Sequence, residues 1–170
     1  METHYIYLAG NHKDNGDWRI EFNSYNRKLN QNSSMTLIGI DPFHRQIEEN
    51  DHLTIVSRDI AILSDVRLSY VVLMSDQGNG MFSTGTSCEM ILARSLGKPI
   101  VVITSCTDNW IHPFTLHFAS HIVSSISEAT QLIRTDLSEG KTYGNLTDDL
   151  ASLSNYKFNA PDIDPFWVSK

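Results

Sequence analysis

Ser83-Thr84-Gly85-Thr86-Ser87-Cys88-Glu89 lies between two apolar runs, and the reading of that stretch decides the fold. Before it comes Tyr70-Val71-Val72-Leu73-Met74, a β-branched run of buried-strand type. After it comes Met90 to Leu96 with helical spacing, then Gly97-Lys98-Pro99 and a second strand, Ile100-Val101-Val102-Ile103. A strand, a small-residue turn, a helix closed by glycine and another strand make one βαβ unit. In such a unit the carboxyl end of the strand and the helix N-terminus face a ligand crevice. Glu89, expected in the first turn of that helix, is the leading candidate for chemistry.

The flanks repeat the alternation. Tyr5-Ile6-Tyr7-Leu8-Ala9-Gly10 reads as a first strand, and Asn11 to Gly16 as a polar loop. Asp17 then caps a helix from Trp18 to about Leu29, with Trp18, Phe22 and Tyr25 as its apolar stripe. Thr36 to Ile40 is a second strand, and Phe43 to Asp51 a loop of a length that often serves a site. His52 to Leu63 is a helix with Leu53, Val56, Ile60 and Leu63 apolar. His121-Ile122-Val123 reads as a short fifth strand, and Ser127 as the cap of a last helix over Glu128 to Leu137. The pattern predicts an α/β fold of flavodoxin/Rossmann-like type: a single doubly wound domain over 1–137 with a parallel sheet of about five strands. Residues 138–170 are polar, hold Pro161 and Pro165, and are read as a tail without regular structure.

Bulk properties exclude several classes. The chain has 170 residues, 41% of them hydrophobic, and no run as long as a membrane helix requires. Its first residues lack the basic-then-apolar pattern of a signal peptide. Two cysteines, Cys88 and Cys106, outside any CxxC, fit a reducing cytoplasm. A net charge of −7 without a basic stripe argues against a nucleic-acid polymer, though not against a small phosphorylated ligand.

Few constellations carry chemistry. His117 and His121 are spaced i, i+4, but no acid or cysteine completes a metal set, so they read as surface histidines and no metal is expected. GxSxG and the Walker loop are absent, Cys88 is expected to face the core, and Tyr7 to Asn11 lacks the three-glycine dinucleotide spacing. No cofactor is expected. Two carboxylates remain. Near a helix N-terminus, Glu89 would be favoured in its ionised form, as suits a nucleophile; equally, it fits a capping box with Thr86. Asp59 sits inside a helix where aspartate is a poor former, either near the carboxyl end of the sheet or as a surface partner of Arg58.

Ile6 to Gly10, Asp17-Trp18-Arg19, Arg58-Asp59-Ile60, Gly85 to Glu89 and Leu96 to Ile100, in that order, resemble the nucleoside 2-deoxyribosyltransferase family. That family includes 2'-deoxynucleoside 5'-monophosphate N-hydrolases and CMP hydrolases, and the resemblance covers roughly residues 5–133. It implies that Glu89 attacks C1' of the sugar to form a covalent glycosyl-enzyme. It implies that Tyr7 holds Glu89 and that Asp59 contacts the base and helps protonate it, the two-carboxylate logic of a retaining glycosidase. It places Gly10, Asn11, Gly85 and Thr86 beside the substrate. It further implies that His112-Pro113-Phe114 enters a neighbouring subunit's site, His112 towards the sugar 5' end and Phe114 towards the base, in a homo-oligomer.

Two departures bear on the substrate. Where transferases of free nucleosides carry an Asp six residues before the Glu, this chain has Ser83, as the monophosphate hydrolases do. A carboxylate there would repel a 5'-phosphate, whereas a hydroxyl donates to it. His12 and Lys13 fall where those hydrolases bind phosphate, with Asp14 and Asp17 diluting the positive field. Secondly, Ser69-Tyr70 stands where the family has a Ser/Ala-Asp pair. It lies eleven residues after Asp59, longer than the family's spacing by nearly one helical turn. Asp65 is thus a rival to Asp59, and Asp76 is a turn residue or a ligand contact. The expected activity is cleavage of the N-glycosidic bond of a (deoxy)nucleoside or its 5'-monophosphate, with water or a second base as acceptor. The alternative is a nucleotide-binding or sensing domain of the same fold without turnover.

Overall fold

In a computed structural model of the protein, the described residues are 2–10, 18–42, 52–75, 82–104 and 113–148. They form β1 (Glu2–Gly10), α1 (Trp18–Asn30), β2 (Met35–Ile40), α2 (His52–Leu63) and β3 (Leu68–Met74). Then come α3 (Thr84–Ser95), β4 (Ile100–Ile103), α4 (Pro113–Phe118), β5 (His121–Val123) and α5 (Ile126–Ser138). The five strands are all parallel, in the order β2-β1-β3-β4-β5. This is the expected doubly wound α/β fold, and its strand order reverses between β1 and β3, where such sheets bind ligands.

Both faces are covered, so the central strands are apolar on both sides. Ile6, Leu8, Tyr70, Val72, Val101 and Ile103 pack with Trp18 and Phe22 of α1 and Ile133 of α5. The alternate residues Tyr7, Ala9, Val71, Leu73, Ile100 and Val102 pack with Leu63 of α2, Met90 and Ala93 of α3, and Phe118 of α4. Period-two alternation along β1 therefore sends Tyr7 to the α3 side.

Two local expectations are corrected, and one helix is added. The helix after β3 begins at Thr84, too early for Glu89 to lie in its first turn, because Ser83 caps it: its Oγ accepts from the Thr86 N–H at 3.2 Å. The last helix begins at Ile126, because Ser125 rather than Ser127 accepts from the Glu128 N–H. The stretch from Pro113 forms α4, with proline at the first helical position, where no N–H is needed.

Beyond α5 the chain is tied back to the sheet. Asp136 is 1% exposed and accepts from Tyr70 Oη at 3.2 Å and Lys141 Nζ at 2.7 Å. Tyr143 Oη also donates to it, and His121 Nε2 lies 2.9 Å away. Tyr143 packs on the α1–α5 core and Leu146 on the opposite core, so residues 141–148 wrap one end of the domain.

Candidate active site

Tyr7 of β1 and Glu89 of α3 meet between the sheet and the helix. Tyr7, in the middle of β1, is fully buried, and its hydroxyl donates to Glu89 Oε1 at 2.6 Å. With α3 starting at Thr84, Glu89 lies in the second turn and not the first, and the helix is capped by Ser83 rather than by a Thr86–Glu89 capping box. Glu89 is thus released from helix capping and turned onto the sheet. Its protonation follows. Burial pushes its carboxyl up to about 7, with Asp59 adding to the rise, while the Tyr7 hydrogen bond and the charges of Arg19 and Arg58 pull it down. The expected bias towards the ionised form is overturned, since desolvation outweighs a helix start about one turn away. Burial, and then the charge of Glu89, raise the Tyr7 phenol, which stays a donor throughout.

Asp59, on α2, is 18% exposed in its side chain and lies within electrostatic reach of both Tyr7 and Glu89. It is also paired with Arg58, whose Nε and Nη2 approach Oδ1 at 2.9 and 2.7 Å. Asp59 is thus paired with Arg58, as one reading has it, yet only partly exposed and near the Tyr7–Glu89 pair. The rival Asp65 follows α2 and precedes β3; it is held by Arg67 Nη2 at 2.6 Å, and the charges acting on it come from Arg67 and Lys98.

The small residues frame the crevice. Gly10 closes β1 at φ 145°, and a Cβ there would stand 2.9 Å from the Met74 carbonyl oxygen, so only glycine lets β1 and β3 meet at this point. Ser83 and Thr86 share a hydroxyl contact of 2.9 Å, Thr86 buried and Ser83 exposed. Gly85 is exposed, with only Ser83 Oγ, at 3.9 Å, near the place of a Cβ. Asn11, His12, Lys13, Asp76 and His112 lie outside the described residues, and of Phe114 only the backbone, in α4, is described. Cys88 is exposed, contrary to expectation. His117 is on α4 and exposed, whereas His121 is on β5 and bound to Asp136, so the two do not share a helix face. No three potential ligands cluster for a metal among the described residues, and no helix there is long and apolar enough to cross a membrane.

Two features escaped the sequence. Arg19 is 4% exposed, with Nε on Leu8 O at 2.9 Å and Nη2 on Gly10 O at 2.6 Å. Ser75, directly after β3 at the switch point, is buried. Burial of a full guanidinium is rare enough that nothing in the composition of α1 signals it.

No protein-family model matches the sequence, and no curated protein is detectably similar to it. Solved structures are similar in shape. A 2-deoxyribosyltransferase from Bacillus psychrosaccharolyticus superposes at TM-score 0.52 with 14% identity, over 74% of this chain and 89% of that one. The CMP N-glycosidase BcmB from Clostridium botulinum gives 0.51 and 17%, over 79% and 98%. A 2-deoxyribosyltransferase from Leishmania mexicana gives 0.53 and 16%, over 76% and 95%. At these identities what is shared is the architecture: the chain has the fold of the 2-deoxyribosyltransferases and of a CMP N-glycosidase.

Proposed function

We propose that the protein is an N-glycosidic-bond enzyme acting on a (deoxy)nucleoside 5'-monophosphate or nucleoside through a covalent glycosyl-Glu89 intermediate. The observation that carries this reading is the 2.6 Å hydrogen bond to Glu89 from the fully buried Tyr7, on a strand that borders the point where the strand order reverses. A carboxylate held by one donor on one oxygen is oriented yet keeps a second oxygen for attack. In the first step the C1'–N bond breaks as the Glu89–C1' bond forms, and the base leaves with a proton supplied from the Asp59 side. In the second, water or another base attacks C1' and frees Glu89. The neighbours named above act as deoxyribosyltransferases or as a CMP N-glycosidase, which agrees with this class of bond.

Ser83 favours the monophosphate. Its oxygen accepts from the Thr86 N–H and shares a hydrogen bond with Thr86 Oγ1, so a phosphate at the helix start would meet hydroxyls and not a carboxylate. The alternative, nucleotide binding without turnover, draws on the pairing of Asp59 with Arg58, because a carboxylate neutralised by a neighbour is a poor proton donor. A homo-oligomer is part of the proposal. Leu53, Val56 and Ile60, at 81, 55 and 46% exposure, form one apolar stripe on α2, the kind of surface that another subunit covers. We place the enzyme in the reducing cytoplasm, in keeping with the free thiol of Cys88. The catalytic domain is taken as 1–137 and 138–170 as an appendage, of which 141–148 pack on the sheet.

The test is to incubate the protein with each deoxynucleoside, ribonucleoside and 5'-monophosphate, with and without a second base, and to follow free or exchanged base by chromatography. Base release that disappears in Glu89→Gln is expected. Nucleotide binding by thermal shift, without base release from any substrate, would select the alternative.

A further inference from the structure

β2 pairs with β1 only as far as Tyr7 opposite Ile40, whereas β3 accompanies β1 to Gly10 opposite Met74. Past Tyr7, no strand among the described residues donates to the carbonyls on the edge of β1 that faces β2. Leu8 and Gly10 are two residues apart and present their carbonyls to the same edge. Arg19 takes both, Nε donating to Leu8 O at 2.9 Å and Nη2 to Gly10 O at 2.6 Å. A rigid planar fork thus stands in for the two backbone donors that a longer β2 would supply. The fork is itself fixed: Asp41, the first residue after β2, lies 3.5 Å from Nε, and the guanidinium stacks over the Trp18 ring at 4.9 Å.

The segment so clamped begins one residue after Tyr7 and ends where the first loop starts. The clamp comes from α1, on one face of the sheet, while Glu89 comes from α3, on the other. They meet across the end of β1, close enough for the charge of Arg19 to act on both Glu89 and Tyr7.

We propose that Arg19 is a positioning residue for Glu89: it completes the open edge of β1, keeps the Tyr7 hydroxyl on Glu89, and sets a permanent positive charge behind that pair. This rests on the reading of Glu89 as nucleophile for its catalytic meaning, though not for its geometry. A plain structural role would be felt in stability alone.

The experiment is a carbon-13 NMR titration of the Glu89 carboxyl, assigned by its loss in Glu89→Gln, in wild type, Arg19→Lys and Arg19→Met. Thermal melting and, where a substrate has been found, kcat and KM are measured alongside. Lysine keeps a charge but cannot bridge two carbonyls; methionine loses both functions. The titration midpoint is expected to rise by roughly half a unit to one unit in Arg19→Met and by less in Arg19→Lys, with kcat falling more than KM changes. Asn23→Ala, which frees the Gly39 N–H and carbonyl elsewhere on α1 and β2, is expected to lower the melting temperature and leave the midpoint alone. A folded Arg19→Met with the wild-type midpoint would overturn the proposal. So would failure of both Arg19 variants to fold, since Arg19 would then be a requirement of the fold. A displaced midpoint in a protein that releases no base would instead reject the role of Glu89 and leave the assignment of Arg19 standing.

Discussion

At the scale of single residues, the decisive quantity is the proton on Glu89. Burial raises its carboxyl to about 7, so near neutrality the nucleophilic form is only part of the population. If attack needs the carboxylate, kcat/KM rises with pH and levels off above about 7, not above the 4 to 5 of an exposed glutamate. The Tyr7 hydrogen bond lowers that value, so Tyr7→Phe is expected to move the acid limb upward. It should also cost roughly 10- to 100-fold in kcat, the worth of one hydrogen bond to a charged group; an unmoved limb in the pH–rate profile would count against the pair. Ser83 permits a cleaner exchange. Aspartate caps helices as well as serine does, so Ser83→Asp is expected to melt within a degree or two of wild type while reversing preference from 5'-monophosphates to nucleosides. Competition between dCMP and deoxycytidine, or whichever pair is cleaved, reads this directly.

At the scale of elements, the Asp136 cluster fastens the chain after α5. Burial by itself would raise Asp136, but donation from Lys141, Tyr143 and Tyr70 and the charge of His121 lower it on balance, so it is an anion in a satisfied site. Asp136→Asn is expected to destabilise by about 3 kcal/mol in urea denaturation, and Tyr143→Phe by about 1 kcal/mol, since the first removes the charge and the second one donor. Equal effects would mean that the cluster is not organised around the carboxylate. Elements were legible in the sequence where apolar runs are short and bounded, as at Ile100 to Ile103 and His121 to Val123. They were misread where small polar residues serve loop and helix equally. Ser83-Thr84-Gly85-Thr86-Ser87 looked like a turn, but the Ser83 cap draws it into α3, moving Glu89 one turn deeper and exposing Cys88. The Tyr7–Glu89 pair was legible through the family resemblance. The Arg19 clamp was not, because it depends on where β2 stops.

At the scale of the whole molecule, the site has a cost that titration can display. A carboxyl raised from 4.5 to about 7 binds its proton more tightly in the folded state than in the unfolded one. Its contribution to stability is complete below pH 4.5 and is lost as pH rises through about 7. The difference amounts to about 3 kcal/mol. Between those values the stability of wild type is expected to fall relative to that of Glu89→Gln, which carries no titrating group; parallel urea curves at pH 5 and pH 8 measure it, and a constant difference would mean that Glu89 is not desolvated. The central claim concerns two displacements at one carbon. It is tested most directly by letting the cleaved 5'-monophosphate react in aqueous methanol and reading the anomer of the methyl glycoside by proton NMR. Attack by Glu89 followed by attack of methanol predicts retained configuration at C1', with no product in Glu89→Gln. An inverted anomer, or the same product from Glu89→Gln, would contradict it.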